Sequence, residues 1–169
     1  MNSRRRVNSD VERLILFMRI LLSIILIAVA GVASAQPQEA SPQEISALVA
    51  QLSWDSVGGE CNFVWRIYPE GPAAKRLLEI GKPASAELLK VLTDDTKGVA
   101  AHVILSTIWE PENIEIQNRS DGNDFVHVYN KLEWRDHLNF KKKKVTHSVN
   151  RVNLARISVE WRAKLAGKL

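Results

Sequence analysis

Four histidines, one cysteine, five tryptophans and a run of four lysines are the side chains of this 169-residue chain with chemistry to offer. His102 precedes Ser106 by four residues, which places both on one face of a helix. An acid–base pair also needs a pocket and a third group to orient the imidazole. The sequence supplies neither, so His102 reads as a core histidine hydrogen-bonded to a neighbour. His127, His137 and His147 recur at ten-residue intervals. Imidazole is a common metal ligand, but this spacing puts the three on separate elements, with no cysteine or acid at a metal-typical offset. No metal centre is expected. Cys61 has no sequence-local histidine or acid to activate its thiol and reads as a buried, inert cysteine. No catalytic residue is therefore assigned, and no cofactor is implied.

The tryptophans are Trp54, Trp65, Trp109, Trp134 and Trp161. Indole platforms bind sugars, yet Trp109 and Trp161 fall on apolar helix faces, where packing explains them. Trp65 and Trp134 are the candidates for an exposed ligand platform. Lys141, Lys142, Lys143 and Lys144 could attract phosphate, another anion or a membrane surface. The competing reading is a solvated loop at a strand edge, where lysines discourage edge-to-edge pairing.

These side chains must be positioned by a small domain. Met18–Gln36 has the pattern of a secretory signal peptide. Arg19 leads into an apolar run from Ile20 to Val32, and Ala33 and Ala35 supply the small side chains required before cleavage at Gln36. The run is shorter than the ~20 apolar residues of a comfortable membrane span. The signal is complete from Met18, which makes residues 1–17 read as an over-extended start. The expectation is a periplasmic or secreted bacterial protein with no stable membrane span after cleavage. Residues 36–41 would form a short mobile start, and residues 42–169 a single domain.

Cleavage changes the charge argument. The whole chain carries +4, but from Gln36 onward there are 18 basic and 17 acidic residues, a net of +1. A nucleic-acid partner is not implied. The charge is segregated, with a net of −7 over residues 36–130 and +8 over residues 131–169. Either the two parts pair at the surface or the second part meets an anionic partner.

Ser41-Pro42-Gln43-Glu44 is a capping box, followed by Ile45, Leu48, Val49 and Leu52 at helical spacing, which predicts a helix over Pro42–Ser53. Further helices are predicted over Pro72–Ile80, Pro83–Thr93, Val99–Trp109 and Val152–Leu165. The nearly all-apolar Val99–Trp109 must be central. Cys61–Tyr68 is aromatic and β-branched and fits either a short strand or a buried helical turn. Pro111–Asp124 reads as polar turn. Phe125–Tyr129, Leu132–Trp134 and Val145–Val149 predict a small β-meander over about 125–149.

Leu77-Leu78-Glu79-Ile80-Gly81-Lys82-Pro83-Ala84, then Leu88–Leu92, Asp94-Asp95 and Val99-Ala100-Ala101, resembles the HEAT-like helical repeat. The resemblance covers about residues 72–109. It implies antiparallel helix pairs and a scaffold that contacts other proteins, and it carries no catalytic residue. The predicted fold is thus mainly α within an α+β class: a HEAT-like helical core, an appended meander and a closing C-terminal helix. The function expected first is an exported, non-enzymatic adaptor acting through an unidentified protein partner. A glycan- or anion-binding protein comes second, and a hydrolase third.

Overall fold

The computed structural model describes residues 40–62 and 64–169, and of residues 61, 62, 64 and 65 the backbone alone. The signal segment, its cleavage residues Ala33, Ala35 and Gln36, and the start of the segment expected to be mobile lie outside the described residues. So do the side chains of Cys61 and Trp65.

The fold is α+β. Five helices are described: α1 (Pro42–Ala50), α2 (Gly71–Ile80), α3 (Ser85–Lys90), α4 (Gly98–Trp109) and α5 (Arg151–Leu165). They accompany a hairpin of β1 (Val57–Asn62) and β2 (Val64–Pro69), and an antiparallel meander of β3 (Ile116–Asp121), β4 (Asp124–Tyr129), β5 (Leu132–Asn139) and β6 (Lys144–Val149) in that spatial order.

The helices form where capping and periodicity place them. Ser41 Oγ accepts from the Glu44 backbone N–H at 3.1 Å and starts α1. Asn150 does the same for α5 through Asn153 N–H. Gly81, at φ 71°, ends α2 in a conformation that glycine alone adopts cheaply. α4 is buried from Gly98 to Ser106 and touches α2, α3, β1, β2 and β5.

That environment overturns the HEAT-like expectation. The Gly81–Ala84 turn does join two helices, but its second helix has only six residues, preceded by the 3₁₀ turn Lys82–Ala84. The following helix, α4, is covered by β1, β2 and β5 as well as by helices, so no further helix pair stacks on it. Tyr129, Leu132 and Trp134 of the meander sit in the same apolar core as Leu77, Leu88 and Ile104 of the helices.

One further expectation needs correction, and one open alternative is decided. Pro111–Asp124 is not turn throughout, since Ile116–Asp121 is the edge strand β3. Asn118 and Ser120 on its inner face are as polar as Gln117, Arg119 and Asp121 on its outer one, so it shows no apolar alternation from which a strand could be read. Within Cys61–Tyr68, where strand and helical turn were both open, residues 61–62 and 64–68 are strand, in the two arms of a hairpin.

The meander's register follows from its turns. Asn130 and Lys131 have φ of 44° and 71°, a two-residue connection whose twist matches the flanking strands. It pairs residues equidistant from it: Tyr129 with Leu132, His127 with Trp134, Asp124 with His137. On the next hairpin Asp136 pairs with His147 and Trp134 with Val149.

Candidate functional site

Side chains alternate across the pleat, so these pairings sort the meander into two faces. Asn118, Phe125, His127, Trp134, Asp136 and His147 share the inner face. Asp124, His137 and Ser148 share the outer one.

On the inner face Asp136 sits between two imidazoles. His127 Nε2 meets its Oδ2 at 3.2 Å, and His147 Nδ1 meets its Oδ1 at 2.8 Å. Burial pushes the Asp136 carboxyl up, but the hydrogen bonds and charge of the two histidines outweigh it and hold the group below the usual value of 3.8. Asp136 is therefore an anion at neutral pH, with both oxygens oriented. His127 Nδ1 meets the side-chain amide of Asn118, whose Nδ2 is buried without a hydrogen-bond partner. Each imidazole also stacks on an indole: His127 on Trp134 with ring centroids 5.3 Å apart, and His147 on Trp54 at 5.0 Å.

Trp54 comes from a 3₁₀ turn, Trp54–Ser56, started by Ser53. It stands where the β1–β2 hairpin approaches the sheet. Trp54, Gly59, His127, Trp134, Asp136 and His147 line a depression of about 70 Å³ there. Beyond Trp54 and His147 lies a broader basin of about 380 Å³, whose lining includes Asp95, Thr96 and Arg151.

On the outer face Ser148 Oγ–H donates to His137 Nε2 at 2.8 Å, and His137 Nδ1 meets Asp124 Oδ1 at 2.9 Å. This order, hydroxyl to Nε2 and Nδ1 to carboxylate, is that of a serine-hydrolase triad. Its setting is not. The His137 side chain is 41% exposed, so water screens the charges that catalysis must stabilise.

His102 joins three elements instead of facing a substrate. Its Nε2–H donates to the Tyr129 carbonyl at 3.0 Å, and its Nδ1 accepts from Trp161 Nε1–H at 2.9 Å. Burial lowers its pKa to about 4 against backbone contacts that raise it, so the ring is neutral. Ser106 Oγ is buried without a partner, so the two residues form no pair. His102 and Trp161 line a cleft of about 260 Å³ between α4, the Asn130–Lys131 turn and α5. Both of its cations are engaged: Lys164 contacts Glu110 and lies over the Trp161 ring, and Lys131 pairs with Glu160 at 3.8 Å, while Glu115 adds a further acid to the lining.

The structure thus brings together two of the three spaced histidines and aims the third at the other face. Trp134 is only 5% exposed, which corrects the expectation of an exposed indole platform there. It supports the site from beneath, through His127. Lys141–Lys144 are exposed at the β5–β6 tip, on no part of the depression. Trp54, Asp136, Asn118 and Asp124 are the residues that sequence reasoning missed. Each meets its histidine directly or diagonally across strands, or across elements, so the separations appear only once the Asn130–Lys131 turn is fixed as a hairpin centre.

Among the described residues, no group of three histidine, cysteine, aspartate or glutamate side chains is arranged to hold a metal ion. No helix among them is long and apolar enough to cross a membrane. Compared with known protein families, curated proteins and solved structures, the chain matches none, so the HEAT-like resemblance has no support beyond the short motif that suggested it.

Proposed function

We propose that the protein is an exported, non-enzymatic binding module that holds a small polyhydroxyl ligand, the end of a glycan, in the depression between the β1–β2 hairpin and the inner face of the meander. One observation carries this reading. An ionised carboxylate with fixed oxygens, two imidazoles and an indole converge there from three strands and a 3₁₀ turn, in a site that solvent reaches. Acceptors such as Asp136 take hydroxyl protons, and the indole of Trp54 offers an apolar edge for sugar C–H groups. The wider basin with Asp95, Thr96 and Arg151 gives room for a second ring. Export rests on the signal pattern of Met18–Gln36.

A glycan array followed by calorimetry tests this reading. Wild-type protein is expected to retain a defined set of glycans. Asp136→Asn, which keeps the shape of the side chain, and Trp54→Ala should each weaken binding at least about tenfold, or about 1.4 kcal/mol. Retention of no glycan, or unchanged binding by Asp136→Asn, would defeat it.

Contact with another protein is a second reading, and one observation favours it. Val152, Ala155 and Val159 form an exposed apolar stripe at helical spacing along α5, with Val152 81% and Val159 67% exposed. Val152→Glu with Val159→Glu should abolish any stoichiometric protein complex recovered from the host. A complex that survives both changes would count against the stripe.

A further inference from the structure

We infer that the tip of the β5–β6 hairpin, Phe140–Val145, docks the protein on an anionic lipid surface. This goes beyond the glycan reading and does not depend on it.

The tip projects past the rest of the sheet. β4–β5 pairing ends at Asp124 and His137, whereas β5–β6 pairing runs on through Leu138–Val145 and Asn139–Lys144. The Leu138 N–H donates to the Asn123 carbonyl of the β3–β4 turn at 3.1 Å. Beyond that bond no strand flanks the β5–β6 hairpin on the β4 side. Residues 140–145 are exposed. The turn is closed by Asn139, whose side chain accepts from Lys142 N–H at 3.0 Å.

The charge on this tip is uncompensated. No ion pair joins Lys141, Lys142, Lys143 or Lys144 to a described residue. The two acids at the same end of the sheet are engaged elsewhere, Asp121 by Arg135 and Asp124 by His137. Lys143 holds φ of 48°, a left-handed conformation in which glycine or asparagine sits more cheaply. The turn keeps a fourth cation at a position that its backbone would give to another residue.

The lysines are bracketed by apolar side chains. Phe140 is 70% exposed and Val145 44%. A soluble polyanion would use the charges and leave Phe140 idle. A bilayer uses both. Lysine stems lie along the boundary while their ammonium groups reach lipid phosphates, and an aromatic ring settles at the headgroup level. Each lysine near an anionic surface is worth about fivefold in partition.

Sedimentation with vesicles tests the assignment on the chain from Gln36, which contains the whole core described above, with thermal melts showing that each variant is folded. Vesicles of phosphatidylcholine alone are compared with vesicles containing about one-third phosphatidylglycerol. Partition onto the anionic vesicles should exceed that onto neutral ones at least tenfold and fall several-fold when salt rises from about 0.05 to 0.3 M. Changing all four lysines to glutamine should reduce it to the neutral level. Phe140→Ser, with every lysine kept, should lower it about tenfold. Equal partition onto both vesicle types, or no loss in the quadruple variant, overturns the proposal. Wild-type behaviour of Phe140→Ser, with equal capture by immobilised heparin, also overturns it and assigns the tip to soluble polyanions.

Discussion

At the scale of single residues, His102 has the clearest energetic role. Its folded pKa of about 4 lies below the ordinary 6.5 because burial disfavours the imidazolium. Between those values the unfolded chain binds a proton that the folded chain refuses. The stabilisation is therefore complete above about pH 6.5 and lost as pH falls toward 4, an effect of about 3 kcal/mol. Urea titrations across this range should show stability falling with acid, and His102→Gln should flatten that slope while lowering stability at pH 7. A slope unchanged in the variant would assign the acid sensitivity to other groups. Asp136 contributes in a different window, below 3.8, where its depressed carboxyl finally takes a proton. Ser106 supplies the complementary prediction. Its buried hydroxyl has no partner, so Ser106→Ala should be neutral or stabilising by up to about 1 kcal/mol in the same titration. A buried serine held in a hydrogen-bond network would instead show a loss. The anchoring role of His102 was legible in the sequence, because a lone histidine on an all-apolar helix must be satisfied internally. The pairing of His127 and His147 through Asp136 was not, because strand neighbours are set by turn geometry and not by sequence distance.

At the scale of elements, apolar periodicity located each of the five helices among the described residues, since each buries one stripe or all of its circumference. It failed where an element is half solvated. β3 has polar residues on both faces after Ile116, and the β1–β2 hairpin contains Gly58-Gly59, which reads as a break. Turn chemistry carries a prediction on each side of the core. Gly98 starts α4 against the preceding loop, and a Cβ there would lie 2.5 Å from the Leu92 carbonyl oxygen and 3.0 Å from Leu154 Cδ2. Because backbone cannot yield as a side-chain tip can, Gly98→Ala should cost about 2 kcal/mol or more by chemical denaturation. A neutral result would mean that the Asp94–Lys97 turn shifts freely. Lys143 is the opposite case. Its left-handed backbone favours glycine, so Lys143→Gly should raise stability by about 0.5–1 kcal/mol while weakening partition onto anionic vesicles. A gain in stability with a loss of docking would separate what the turn prefers from what the tip does.

At the scale of the molecule, the segregated charge noted in the sequence is partly cancelled within one unit. Arg151 pairs with Asp95, Lys164 with Glu110 and Arg135 with Asp121, each joining a cation of the basic part to an acid of the acidic one. These surface pairs add little stability individually, but they leave the positive excess at the β5–β6 tip. The core crosses the same boundary. His102 of α4 bonds both β4 and α5, the Glu133 N–H of β5 donates to Asn153 Oδ1 at 3.0 Å, and Arg162 reaches the Leu89 carbonyl of α3 at 2.9 Å. The meander supplies Tyr129 and Leu132 to the cluster that buries α4. A sheet that shares its core with the helices cannot unfold alone without exposing that cluster, so helices and meander should melt as one unit. Helical circular dichroism and tryptophan fluorescence should then give one coincident midpoint, and His102→Gln should lower both together. Two resolved transitions, with only the helical signal lost first, would instead make the meander an independent unit and remove the physical link between the inner-face site and the helical core.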